Sequence, residues 1–321
     1  MTTVSFPGLG IGEFSFSRVA FEIPLFGGIK IHWYGIIIVT GIILAFLYAY
    51  YRAKHEGISF DDLLDITIFT VIFAVIGARA YYVLTTLDQY DSFLEMIAIW
   101  NGGIAIYGAI IAGAITVYAV CRVKKIPFLK MFDVAAPSVM IGQIVGRWGN
   151  FCNGEAFGTE IPQDSIFYFI RMGLNSANTD GQMLYVHPTF LYESLWNLVG
   201  LVIIHCLYKK KKFDGQVVLM YATWYGFGRM FIEGLRTDSL YIPGTVLRIS
   251  QVIGFLCFVL GAIALIVLLA KANRRQKDSM EYTPAYKKIS NPAAYYAEQA
   301  QSIETEKDAE DEKTTESNSE E

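Results

Sequence analysis

Charge is scarce in this chain. Only 17% of its 321 residues are Asp, Glu, Lys or Arg, while 54% are hydrophobic. Soluble domains sit nearer about 25% charged. The shortage excludes an ordinary soluble domain and leaves a protein surrounded by membrane lipids, with no nucleic-acid partner. Cysteine is sparse too. Cys121, Cys152, Cys206 and Cys257 are scattered, without a CxxC pair or ligand spacing, which excludes a disulfide framework and a cysteine metal site. The spans also lack a carboxylate array, so no metal and no cofactor is expected. A short basic start and a small-residue cleavage site are missing ahead of the first apolar run. That run therefore reads as a retained span and not as a cleaved signal peptide. The formal charge of −4 says little about the membrane body. From Lys271 onward there are 8 Lys+Arg against 12 Asp+Glu, so the acidity lies in the tail.

What is present is a series of apolar runs ended by basic clusters. The runs predict seven transmembrane helices at about 33–51, 63–84, 97–120, 131–145, 189–208, 216–232 and 247–270. Arg52, Lys54 and His55 follow the first. Arg122, Lys124 and Lys125 follow the third, Lys209 to Lys212 the fifth, and Lys271, Arg274, Arg275 and Lys277 the seventh. By the positive-inside rule these ends are cytoplasmic. Seven spans, N-terminus out and C-terminus in, satisfy every cluster. The expected fold is an all-α polytopic membrane protein with a small extracytoplasmic lobe at about 159–186. Residues 1–270 form its membrane domain and 271–321 a disordered acidic cytoplasmic tail.

One stretch concentrates the chemistry. Residues 146–158 read GRWGNFCNGEAFG, directly after the short fourth run, and are expected as a glycine-rich loop dipping back toward the membrane. Glycines allow close approach of a ligand to the backbone, and Arg147 offers a planar fork suited to phosphate oxygens. The topology puts this stretch at the outer face. Arg79 lies at the same depth in the second span, Arg229 and Glu233 near the outer end of the sixth, and Arg236 just beyond. Arg229 and Glu233 share a helix face at i, i+4. Charged groups inside a bilayer are costly and mark function. Several guanidiniums at one level suit an anionic lipid headgroup.

Together with GRWGNFCNGEAFG, five further segments match one family in order. They are His32-Trp33-Tyr34-Gly35, Gly77-Ala78-Arg79, Trp100 to Gly103, His187-Pro188 with Tyr192-Glu193, and Tyr225 through Arg229, Glu233, Arg236 and Asp238. Over residues 15 to 270 the chain resembles the prolipoprotein diacylglyceryl transferases. The resemblance implies an enzyme of the bacterial cytoplasmic membrane with its active site toward the outer leaflet. Such an enzyme moves the diacylglyceryl group of phosphatidylglycerol to the lipobox cysteine thiol of a preprolipoprotein signal peptide. It makes a thioether and releases glycerol phosphate, the first step of lipoprotein maturation.

By that match Arg147 and Arg229 stabilise the phosphate, with Asn150 and Asn153 as donors and Gly154 and Gly158 giving close approach. Glu155, Tyr34, Tyr225, Glu233, Arg79, Arg236 and His187 bind and position the substrates. The thiol comes from the substrate, so the enzyme's own cysteines are not required. One position departs from the family. A His-Gly-Gly segment is common there, and this chain has Tyr107-Gly108-Ala109, making Tyr107 the catalytic candidate at that place. A monomer suffices for this chemistry. Two other readings of the residues are another phospholipid-using membrane transferase and a membrane transporter. The first is disfavoured by the missing carboxylate array. The second is disfavoured because the polar residues sit at one level and line no path across.

Overall fold

A computed structural model describes residues 1–24 and 28–277. Helix α1 (Trp33–Glu56) ends at Gly57, whose φ of 72° makes the left-handed cap. Helix α2 (Phe60–Thr85) starts at Ser59, whose hydroxyl accepts from the Asp62 N–H at 3.1 Å. A short helix, α3 (Phe93–Ile97), and a break at Gly102 and Gly103 precede α4 (Ile106–Val123). The chain then forms α5 (Phe128–Asn153), α6 (Thr189–Tyr208), α7 (Gln216–Leu235) and α8 (Ile249–Lys277). Among the described residues, six helices are long and apolar enough to cross a membrane: α1, α2, α4, α5, α6 and α8. Helix α7 carries Arg229 and Glu233 and lies along α8.

The helices pack as α1 on α5, α2 on α4, and α7 on α8, with α6 bridging α5 and α7. Small residues set the closest crossings. A Cβ on Gly108 would lie 2.3 Å from the Gly77 carbonyl oxygen, and one on Gly226 would lie 2.6 Å from that of Gly254. Such contacts replace the hydrophobic drive that lipid cannot supply between helices.

Three expectations change. The protein is not all-α. Strands β1 (Thr2–Phe6), β2 (Ile11–Phe16), β5 (Met172–Asn175) and β6 (Leu184–Val186) form a four-stranded antiparallel sheet in the order β2-β1-β5-β6. Strands β3 (Val19–Ile23) and β4 (Ile29–His32) pair separately and lead into α1. The lobe is therefore built jointly by the N-terminal segment and residues 159–186. Val4 opposes Leu174, so the β1–β5 pairing joins the hairpin of the N-terminal segment to that of residues 172–186. Secondly, residues 146–153 are not loop. They are the last turns of α5, because their glycines serve helix packing: a Cβ on Gly149 would meet the Tyr34 ring of α1 at 2.8 Å. The fourth span thus gains the length it lacked. Thirdly, the third long helix begins at Ile106, since Gly102 and Gly103 adopt φ of 84° and 75° and end the preceding turn. Residues 271–277 continue α8, and the remainder of the expected tail lies outside the described residues.

At the basic ends, one lysine of the 209–212 cluster does structural work. Lys211 is 1% exposed and meets Glu56 at 2.8 Å, Asp133 at 3.3 Å and Asp214 at 3.2 Å. Burial alone would pull its pKa down, but Glu56 and Asp133 hold it above the usual lysine value. Asp133 also accepts the Gly215 and Val218 N–H groups at 2.8 and 3.0 Å, capping the start of α7. Lys211→Met strands two buried carboxylates. It is expected to cost about 3–5 kcal/mol, read as a lower thermal unfolding midpoint in detergent. An unchanged midpoint would remove this cluster from the account of stability.

Candidate functional site

The C-terminal turns of α5 and α7 and the N-terminal turn of α6 meet around one carboxylate. Glu193 stands one turn inside α6 and is 3% exposed. It accepts from Arg147 Nη2 at 2.7 Å and from Arg229 Nη1 at 2.8 Å. A buried charge is retained only when paired, and here one anion holds two cations. Arg229 Nη2 also meets Glu233 at 2.6 Å, one turn on along α7. Arg147 Nη1 donates to Asn150 at 3.1 Å. Asn150 and Asn153 in turn donate to Glu155 Oε1 at 3.0 and 3.3 Å. The end of α5 thus forms a chain of polar side chains leading up from Arg147.

A cavity of about 340 Å³ opens beside this cluster. Its polar wall carries Arg147, Arg229, Arg236, Glu233 and Asp238, and its apolar wall includes Ile110, Leu240 and Ile253. Three hydroxyls line it, from Tyr107, Tyr225 and Ser250, and those of Tyr107 and Ser250 are 2.8 Å apart. Arg236 grips Asp238 with two bonds of 2.9 and 2.7 Å. Partial burial would push the Asp238 carboxyl up, but the Arg236 fork holds it below the ordinary carboxylate value. A second, apolar cavity of about 470 Å³ lies between α1, α2, α4 and α5 and shares Ile106 with the first.

The structure gathers most of the expected site residues. Tyr107, Arg147, Tyr225, Arg229, Glu233 and Arg236 share the cavity wall. Asn150, Asn153 and Glu155 back it through hydrogen bonds. Tyr34 lies over Gly149, one turn from Asn153 on α5. Gly154 takes φ of 59° as the cap of α5, and its carbonyl accepts from Ser176 at 3.0 Å and Asn178 at 2.9 Å of the lobe. Gly158 bridges to Arg236 and abuts His187, where a Cβ would come within 2.6 Å of that side chain.

Two residues lie elsewhere. Arg79 donates to the carbonyl oxygens of Glu95 (2.7 Å), Met96 (2.8 Å), Gly102 (2.6 Å) and Gly103 (2.7 Å). Its fork holds the segment before α4 and does not reach the cavity. His187 is buried beneath the lobe, with Nδ1 3.1 Å from the Tyr192 hydroxyl and its ring edge-on to Phe167. Burial lowers its pKa below the usual histidine value. Sequence reasoning missed Glu193 and Ser250 as site members. Glu193 had a usable signal, being a carboxylate inside an apolar run. Ser250 had none, because only the fold brings it to Tyr107.

The family model for prolipoprotein diacylglyceryl transferase matches residues 18–267. A phosphatidylglycerol–prolipoprotein diacylglyceryl transferase of Lysinibacillus sphaericus is 42% identical over 259 residues, covering 80% of this chain and 93% of the relative. One from Clostridium perfringens is 41% identical over 261 residues, covering 81% and 97%. One from Finegoldia magna is 46% identical over 248 residues, covering 77% and 93%.

Proposed function

The chain belongs to the prolipoprotein diacylglyceryl transferase family, and on that premise we propose how its site performs the transfer. It takes the diacylglyceryl group from phosphatidylglycerol and places it on the lipobox cysteine of a preprolipoprotein. The observation that carries the reading is the pair of guanidiniums, Arg147 and Arg229, held on Glu193 at the cavity wall. The phosphate oxygens enter between the two forks and take N–H groups from Glu193. The acyl chains lie in the apolar cavity that meets the first at Ile106.

The substrate thiol attacks the glycerol carbon bearing the phosphate. A C–S bond forms, the C–O bond to phosphate breaks, and the electron pair leaves on the phosphate oxygen as glycerol phosphate. The thiol proton departs with it. Preorganised cations at the phosphate act where charge develops, and the same field favours the thiolate, the reactive form of the nucleophile. Asn150, Asn153 and Glu155 keep Arg147 in place, and Tyr225 and Arg236 orient the lipid headgroup.

The seven helices cross the bacterial cytoplasmic membrane with the N-terminus out and the C-terminus in, which sets the cavity toward the outer leaflet. A monomer contains the whole site. Residues 1–270 supply the transferase and the tail from 271 adds no chemistry.

Tyr107 and Ser250 stand where a hydroxyl pair can steady the attacking sulfur or the leaving oxygen. Tyr107→Phe removes one hydrogen bond worth about 1–2 kcal/mol and is expected to lower kcat about tenfold. Full activity in that variant would strip Tyr107 of any proton-handling role. The test of the whole reading is incubation of the purified chain with phosphatidylglycerol and a lipobox peptide. Mass spectrometry should find the diacylglyceryl thioether. Its absence, under conditions where a relative transfers, would overturn the reading.

A further inference from the structure

Below the arginine–carboxylate cluster, α6 buries one more polar side chain. Asn197 stands four residues after Glu193, hence on the same helix face, and is 0% exposed. Neither its Nδ2 nor its Oδ1 meets a hydrogen-bonding partner among the described residues. On α5, Gln143 donates from Nε2 to the Tyr221 hydroxyl of α7 at 2.9 Å, while its buried Oε1 is also unmatched. The Tyr221 ring stacks on Tyr225 at 5.6 Å, and Tyr225 lines the cavity.

Helix register sets these side chains at one level of the α5–α6–α7 seam. Above it lie Arg147, Glu193 and Arg229. Below it Gly200 faces Met140 and Trp224, whose side chains a Cβ there would meet at 2.7 and 2.2 Å. Asn197 falls between Glu193 and Gly200 on α6, and Gln143 between Met140 and Arg147 on α5. A buried amide left unbonded costs about 1–3 kcal/mol per group. Folded proteins satisfy such groups with ordered water, which takes about 2–4 polar partners. Asn197, the Gln143 oxygen and the Tyr221 hydrogen provide that many.

We propose that this level is a water-binding site, and that Asn197 acts through its water as a positioning residue for the arginine pair. The idea rests on the phosphate reading of the cavity. When a lipid phosphate draws N–H groups of Arg147 and Arg229 away, the Glu193 carboxylate must find other donors in a dry setting. Water held by Asn197, one turn below on the same face, supplies them. An apolar core at this level would be more stable and would leave Glu193 without relief.

Two variants of the full chain in lipid nanodiscs test this. Asn197→Leu keeps about the same volume without polar atoms. It is expected to leave the unfolding midpoint level or raised while lowering kcat/KM about tenfold. Asn197→Ser keeps a donor, an acceptor and room for water. It is expected to lower the midpoint and keep kcat/KM within about threefold. A merely structural asparagine would make activity follow the midpoint, and that ranking, or wild-type turnover in Asn197→Leu, overturns the proposal. Radiolytic footprinting in H2 18O reads the water directly. Labelled oxygen should enter Met140 or Tyr221 in the parent protein and be lost in Asn197→Leu. No label in the parent protein overturns the water site. That result is readable whether or not the chain transfers lipid, so it separates this failure from failure of the transfer reading.

Discussion

Arg147→Ala is expected to reduce transfer by at least about a hundredfold to a thousandfold in kcat/KM while leaving membrane insertion intact. Removing one preorganised donor from a developing anion typically costs about 10²–10³ in rate, and Arg147 supplies a whole fork at the cavity wall. Insertion survives because α5 keeps its apolar surface and its contacts with α1 and α6. Arg147→Lys should restore little. A lysine ammonium is a point charge and cannot bridge Glu193 and Asn150 as the guanidinium does at 2.7 and 3.1 Å. The measurement is thioether formation at several phosphatidylglycerol concentrations. Wild-type kinetics in Arg147→Ala would remove the phosphate role from this residue.

Glu193→Gln tests the other half of the arrangement. The carboxylate is what holds two guanidiniums side by side at the junction of three helices. An amide keeps the shape but offers one acceptor oxygen and no charge, so Arg147 and Arg229 repel and spread. Transfer is expected to fall about a hundredfold, since small misplacements of catalytic groups cost that much. Glu193→Leu should lose transfer equally and also lower the unfolding midpoint, because breaking a buried ion pair costs about 3–5 kcal/mol. Retained turnover in Glu193→Gln would mean that the arginines need no carboxylate to hold them in register.

How much of this was legible in the chain depended on the distance over which each signal acts. Apolar runs are local, so the bounds of the fifth span match α6 at Thr189–Tyr208, and the sixth differs from α7 by three residues at its end. Arg147, Arg229 and Arg236, which the expected topology sets at one depth, line one cavity. What stayed hidden depended on partners far away in sequence. Strand β1 joins the sheet's other half only through β5, as in the pairing of Val4 with Leu174. The glycines at 146 and 149 read as loop because glycine is a turn residue, yet here they face Ile38 and Tyr34 of α1 inside a helix. Arg79 looked like a phosphate ligand by depth alone. Its donors go to four backbone carbonyls, a use of guanidinium that no side-chain pattern announces.

That contrast gives the central claim its sharpest test, because Arg79 and the Arg147–Arg229 pair form separate sites and only one is assigned to the lipid phosphate. An experimental structure of the chain with phosphatidylglycerol decides between them. The account predicts the phosphate between Arg147 and Arg229, with N–O distances of about 2.7–3.1 Å and at least one arginine bond to Glu193 exchanged for a phosphate oxygen. A phosphate seated instead at Arg79 and the 95–103 segment, with both arginines still on Glu193, would contradict it.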